Sequence, residues 1–260
     1  MLTIVGERIN VIATEIGTAM RERDPGPIIA MAKAEVAGGA DILDVNIGPA
    51  SKDGPELMPW LVKTIQEAVD VRLCLDTTNF EAMEAGLKVV KGKAMINSAS
   101  GEPERMKRML SFAATYQADV IGLTMTERGI PADANERAAI AYDIITACGE
   151  HGVPLENLYL DPLILPISVA QDKAMAGVEA IDTFKQLNEP PLKTIVGLSN
   201  ISNNTPPATK EVLDSVYLVM LMDAGLTAAI MDPLDRNLVN TAKAVGIMRN
   251  EVLYAHSFVD

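Results

Sequence analysis

With 260 residues, 48% of them hydrophobic, the chain has the length of one α/β barrel and enough apolar side chains for a large core, while two cysteines are too few for a disulfide scaffold. A formal net charge of −13 argues against nucleic acid and against an anionic membrane surface, because both reward clustered Lys and Arg. Only 4% of residues are aromatic, so the core has to be aliphatic, with the 14 methionines filling gaps between helices and sheet.

A short apolar run at 2–5 is the first predicted strand, and it ends in Gly6-Glu7-Arg8-Ile9-Asn10. Asp24-Pro25 opens a helix, since Pro fits a first helical turn, and Gly38-Gly39 stops it. The second strand, at 42–47, leads to a helix at 55–69 with Leu57, Leu61, Ile65 and Ala68 on one stripe. The third strand, at 72–75, holds Cys74, which reads as a small buried hydrophobe. A helix at 79–90 follows, closed by the basic residues of Lys91-Gly92-Lys93. The fourth strand, at 94–97, precedes a helix at 102–117. The fifth, at 120–124, runs into a longer loop and a helix at 135–151, with Cys148 late in it. The sixth strand spans 158–160 and its helix 168–187. The seventh spans 194–198, then a polar loop, then a helix at 210–224. The last strand, at 227–231, is followed by a helix near 234–250.

Strands of four to six residues alternating with helices predict βαβ units and a parallel sheet. Eight units close a (β/α)8 TIM barrel, and no linker, low-complexity tract or charge block divides 1–260 into more than a single domain. The alternative is an open doubly wound sheet, but Gly6-Glu7-Arg8 is no glycine-rich dinucleotide fingerprint. With no apolar stretch of membrane-spanning length and no leader-like amino terminus, a cytoplasmic location is expected.

Nearly every strand stops at an acid or an amide. Asp76 and Asp161 end the third and sixth strands, Asn97 and Asn200 the fourth and seventh, and Asp44 and Asn46 the second. Asn10 follows the first strand and Asp232 the last. Any one of these residues could be an ordinary helix cap. For Asp76, however, Thr77-Thr78-Asn79 can supply the cap and free the carboxylate. In a barrel all of them meet at the C-terminal mouth, where ligands bind. Met125 and Met231 are placed near that mouth to touch a flat ligand.

Converging carboxylates and amides suit a polar heteroaromatic ring, because a carboxylate accepts two N–H bonds from an amidine-like edge. A phosphate would call for Arg, Lys or a glycine cradle. Glycoside hydrolysis would call for aromatic platforms. With only His151 and His256 and no CxxC, no zinc site is expected, and no metal is assigned.

The segments Glu7-Arg8-Ile9-Asn10, Gly39-Ala40-Asp41-Ile42-Leu43-Asp44-Val45-Asn46, Leu75-Asp76-Thr77-Thr78, Met95-Ile96-Asn97-Ser98, Asp161-Pro162-Leu163 and Gly197-Leu198-Ser199-Asn200 resemble the pterin-binding methyltransferases, over essentially the whole chain. Within that family the likeness is to tetrahydrofolate methyltransferases that exchange a methyl group with a corrinoid protein. The resemblance implies tetrahydrofolate or methyltetrahydrofolate as substrate, and a corrinoid (cobalamin) carried by a transient protein partner. It also implies a homodimer and a role in one-carbon metabolism such as O-demethylation. By position it implies that Asp76, Asn97 and Asp161 hold the pterin ring. Asn200 reaches the ring nitrogen that carries the methyl group, supported by Ser199 and Gly197. Dihydropteroate synthase shares several of these signals, but its relatives carry a cation after the seventh strand, where this chain reads Ser199-Asn200-Ile201-Ser202. The relatives' arginine near the aminobenzoate tail is also missing. Asn203 is left for an amide contact and Lys210 as a substitute cation.

Overall fold

Each apolar run becomes a strand because its β-branched and aliphatic side chains fit a sheet buried on both faces. The computed structural model describes residues 1–49 and 52–256. Its strands are β1 (Thr3–Gly6), β2 (Ile42–Gly48), β3 (Arg72–Thr77), β4 (Met95–Ser100), β5 (Asp119–Leu123), β6 (Leu158–Asp161), β7 (Lys193–Gly197) and β8 (Ala228–Met231). All pair in parallel and in sequence order, and β8 returns to β1 with Val5 opposite Ile230, closing a (β/α)8 barrel.

The surrounding helices are α1 (Thr14–Glu22), α2 (Pro25–Gly38), α3 (Gly54–Ala68), α4 (Phe80–Leu87) and α5 (Pro103–Tyr116). They continue with α6 (Ala134–His151), α7 (Ile167–Ala170), α8 (Ala174–Phe184), α9 (Pro207–Ala224) and α10 (Arg236–Met248). Their ends follow local chemistry. Asp24, Asn79, Asp133 and Asp235 cap α2, α4, α6 and α10 through their side chains. Gly39 ends α2 at φ 106°, a conformation a side chain would strain.

Alternation with period two fills the barrel. Val5, Ile42, Cys74, Met95, Ile121, Tyr159, Ile195 and Ala228, one from each strand, form the inner apolar layer. One pleat further on, the inward positions turn polar. At the opposite end Asp119 is almost fully buried and held by Arg72 at 2.5 Å and Lys93 at 2.6 Å. Among the described residues no helix is long and apolar enough to cross a membrane, and no group of His, Cys, Asp and Glu could hold a metal ion.

Two helical expectations need correction. α1 was not predicted, because its N-cap is Ala13 with no capping side chain; it is held by burial of Ile16, Ala19 and Met20. The continuous helix expected at 168–187 is broken into α7 and α8 by a turn at Gln171–Lys173. Tertiary bonds override propensity there: Ile167 N donates to the Ile201 carbonyl at 2.9 Å, and Ser168 Oγ to the Asn203 carbonyl at 3.0 Å.

Candidate functional site

The polar layer opens into a cavity of about 1080 Å³ at the C-terminal mouth of the barrel. Asn10, Asp44, Asn46, Asp76, Asn97 and Asp161 reach it from β1, β2, β3, β4 and β6 or their loops, and Gly197, Ser199, Asn200 and Asn203 from β7 and the loop after it. Met125 forms part of the wall. Met231 does not. Along β8 the inward residues are Ala228 and Ile230, so Met231 is fully buried in the outer cluster against the helices, and Ile230 lines the cavity instead.

Backbone irregularities aim two of these side chains. Register shifts between Asn46 and Gly48 and between Asn97 and Ala99 mark bulges at the ends of β2 and β4. Asn46 donates through Nδ2 to Asp76 at 2.5 Å, and its Oδ1 accepts from Gly48 N at 2.8 Å. Asn97 donates to Asp44 at 3.3 Å. Asp76 is not consumed as a cap, since Asn79 accepts from Ala82 N at 2.9 Å. The half-buried Asp76 therefore turns its carboxyl to the cavity. On β6, Asp161 Oδ1 accepts from Leu163 N at 2.7 Å, and Thr124 binds its backbone carbonyl at 3.0 Å, which fixes the strand end.

On the opposite wall, Ser199 donates to Glu7 at 2.5 Å. Asn200 is exposed at the mouth, and its side chain folds back over Gly197: a Cβ built on that glycine would lie 2.9 Å from Asn200 Nδ2. Only glycine leaves room for the amide in that seat.

Burial, more than any neighbouring charge, sets the protonation of this wall. It lifts the Asp161 carboxyl from 3.8 to about 7. Asp44 and Asp76 are also raised, by burial first; nearby Glu35 and Glu7 raise Asp44 further, and Asp44 raises Asp76. Glu7 is raised for the same first reason, and beneath it the fully buried Glu35 reaches about 7. Carboxyls lifted to about 7, as those of Asp161 and Glu35 are, can accept N–H bonds and can also exchange protons around pH 7.

Sequence reasoning passed over three groups. Glu7 lines the cavity from the loop after β1. Arg105 also lines it, beside Asp76, from the first turn of α5. A cation in that turn opposes the helix dipole, a local conflict of the kind that signals function. Arg137 lies fully buried on α6, electrostatically in reach of Asp161. It shares a stripe with Ala141, Ile144 and Cys148, and an arginine at an apolar-stripe position was a readable signal.

The family model described as pterin binding enzyme matches residues 6–232. The chain is 25% identical over 240 residues to the methylcorrinoid:tetrahydrofolate methyltransferase of Eubacterium limosum, covering 92% of this chain and 88% of that protein. It is 30% identical over 238 residues to methionine synthase of Mycobacterium tuberculosis, covering 88% of this chain; it spans only 20% of that protein's length. Dihydropteroate synthase of Thermus thermophilus has the same fold at a TM-score of 0.67 and 21% identity, over 97% of this chain and 94% of that one. The enzyme of Yersinia pestis gives 0.68 and 17%, over 96% and 94%.

Proposed function

Since this chain belongs to the pterin-binding enzymes, we propose that it moves a methyl group between N-5 of tetrahydrofolate and the cobalt of a corrinoid protein. The observation that carries the proposal is the convergence of Asp76, Asn97, Asp161 and Asn200 on one cavity from four separate strand ends. The Eubacterium limosum relative, named for this transfer and matched over most of both chains, supports it.

In this reading Asp161 and Asp76 accept N–H bonds from the 2-amino-4-oxo edge of the pterin, and Asn97 donates and accepts beside them. The side-chain set fits such a ring: a buried acid, a half-buried acid and an amide on one side, a seated amide on the other. Asn200 faces N-5. Its amide orients that nitrogen and stabilises it as its charge changes, while the proton comes from solvent or from the acids of the cluster. General acid help of this kind contributes roughly 10²–10⁴ in rate. Holding the reactants in line removes a further part of the barrier, up to about 7–11 kcal/mol. The corrinoid supplies the cobalt that gives or takes the methyl group. Asn200 and Asn203 stand exposed at the rim, where a partner protein delivers that cobalt from above. A homodimer, implied by the family resemblance, accompanies this reading.

The competing condensation chemistry of dihydropteroate synthase releases diphosphate. Ser199-Asn200-Ile201-Ser202 offers that leaving group no cation; Lys210 lines the cavity from α9 but is already shared with Asp214 at 3.7 Å.

The test mixes the protein with tetrahydrofolate and methylcobalamin and follows the cobalt spectrum and methyltetrahydrofolate formation. Enzyme-dependent loss of the methylcobalt band with matching methyltetrahydrofolate is expected. No spectral change, alongside product formation from aminobenzoate and a pterin diphosphate, refutes the proposal.

A further inference from the structure

Glu7 stands apart among the acids of the cavity. Two residues beyond the inner apolar layer, on or just after β1, β2, β3 and β6, come Glu7, Asp44, Asp76 and Asp161, and all four line the cavity. Three of them are bonded on the clamp side. Asp44 accepts from Asn97 at 3.3 Å, Asp76 from Asn46 at 2.5 Å and Asp161 from Leu163 N at 2.7 Å. Glu7 is separated from Asp161 by β7 and β8, whose residues in the same layer are Gly197 and Ile230. No other titratable side chain of that layer stands between the two acids. The Asn200 amide lies in this gap, over Gly197.

The chain holds Glu7 in place from behind and from in front. A Cβ built on Gly6 would lie 2.4 Å from Glu35 Oε1, and that oxygen accepts from Arg8 N at 2.9 Å, so the backbone is pinned on either side of Glu7. In front, Ser199, the neighbour of Asn200, donates to Glu7 Oε1 at 2.5 Å. Among the described residues the other carboxyl oxygen has no hydrogen-bond partner. The nearby charges pair with one another: Lys210 and Asp214 of α9 at 3.7 Å, Arg8 and Asp232 at 3.1 Å. Burial raises the Glu7 carboxyl above the ordinary range; Ser199 and Lys210 oppose this, and Asp232 and Asp214 add to it. Glu35 of α2 and Asp44 of β2 also face it. A strap from β1 to β7 needs only an acceptor for Ser199, which an amide supplies without the cost of burying an ionisable group. The acid therefore calls for a further reason.

We propose that Glu7 is a catalytic residue, whose carboxyl holds the proton that N-5 takes when the methyl group leaves and gives up when the methyl group arrives. The proposal rests on the placement of N-5 against Asn200 given above. As methyltetrahydrofolate loses its methyl group, the electron pair of the broken C–N bond stays on N-5, N-5 takes the proton, and Glu7 is left as a carboxylate that solvent reprotonates. In the opposite direction N-5 of tetrahydrofolate forms the bond to the methyl carbon and its proton passes to the carboxylate. Ser199 keeps one oxygen, and the other serves N-5.

Two variants separate the acid from the strap. Glu7→Gln keeps an oxygen for Ser199 and loses the proton; Ser199→Ala loses the strap and keeps the acid. The first readout is proton uptake when methyltetrahydrofolate binds at pH 8, from titration calorimetry in two buffers of different ionisation enthalpy. The wild type and Ser199→Ala should take up part of a proton that Glu7→Gln does not, and equal uptake in Glu7→Gln overturns the proposal. The second is single-turnover transfer from methyltetrahydrofolate against pH. The wild-type rate should fall as pH rises through the titration of the carboxyl. Glu7→Gln should be slower by about 10²-fold or more and lack that fall. Ser199→Ala should keep the fall and move it to higher pH, since the lost hydrogen bond favoured the anion. A merely structural strap gives the reverse, a wild-type rate in Glu7→Gln and a slow Ser199→Ala with no displaced limb, and that pattern overturns the proposal. Should Glu7→Gln not fold, Glu7→Asp, which draws the carboxyl back by one methylene, takes its place, and a wild-type rate in it overturns the proposal. A wild-type protein that binds no methyltetrahydrofolate defeats the reading of the site as well, whereas normal binding and transfer with uptake independent of Glu7 defeats this proposal alone.

Discussion

Replacing Asp161 by Asn should stabilise the free protein while disabling the site. Burial lifts the Asp161 carboxyl from 3.8 to about 7, so between those values the fold holds a proton that the unfolded chain has released. Its contribution to stability is fully present below about pH 4 and is lost as pH rises through about 7. The shift of roughly three pH units, at about 1.36 kcal/mol each, places a ceiling on the order of 4 kcal/mol on the cost of the ionised form. The amide introduced by Asp161→Asn carries no charge, yet its oxygen can still accept from Leu163 N, which the carboxyl now holds at 2.7 Å. At pH 8 the melting temperature should therefore rise by up to about 10 °C, and the fall in stability between pH 4 and pH 7 should flatten. Binding should move the other way. A hydrogen bond to a charged group contributes about 1.5–3 kcal/mol, so affinity for tetrahydrofolate should fall at least about tenfold. Differential scanning calorimetry across pH and titration calorimetry with tetrahydrofolate read the two effects. A variant no more stable than the wild type at pH 8, or one that binds tetrahydrofolate equally well, refutes the reasoning.

Three other substitutions separate the roles of the site from those of the scaffold. Asn200→Ala should leave tetrahydrofolate binding within a few-fold and slow single-turnover methyl transfer by about 10²-fold, the usual cost of a lost donor at a changing charge; an unchanged rate at saturation removes Asn200 from the mechanism. Gly197→Ala puts a methyl 2.9 Å from the Asn200 amide nitrogen and should reproduce that defect in milder form, with melting temperature little altered; stopped-flow spectroscopy at the cobalt band reads it, and a wild-type rate shows that the seat is not needed. Asp119→Ala strips Arg72 and Lys93 of their buried partner at the far end of the barrel. Both cations remain about two-fifths exposed to water, so it should cost only about 1 kcal/mol in chemical denaturation and leave the dissociation constant for tetrahydrofolate unchanged; a loss of affinity there would tie the two ends of the barrel together.

Strand runs were legible because eight apolar segments of regular spacing leave a parallel barrel few rivals. The mouth was legible for the same reason: parallel strands deliver their last residues to one face. What escaped depended on orientation or on distant partners. Met231 was expected at the mouth from its position at the end of a strand. Parity along β8 turns it outward and brings in Ile230, and the inward set Val5, Cys74, Met95 and Tyr159 on the other strands already fixed that parity. α1 has no capping side chain and is held by its buried face. The break between α7 and α8 comes from bonds to the loop after β7, thirty-odd residues away, which no local pattern encodes. Glu7 stood within a family-like segment directly after β1, yet of that loop only Asn10 was singled out as a site residue, and the nearer acid was passed over. Arg105 and Arg137 both violate a local rule, the one facing a helix dipole and the other replacing an apolar stripe residue. Those violations, read as signals, would have led to both.

A crystal structure of the complex with tetrahydrofolate tests the central claim most directly. The amino-oxo edge of the pterin is expected against the carboxylates of Asp161 and Asp76 with Asn97 beside it, and N-5 within hydrogen-bond reach of Asn200. A pterin bound away from those four side chains, or inverted so that N-5 faces Asp161, contradicts it.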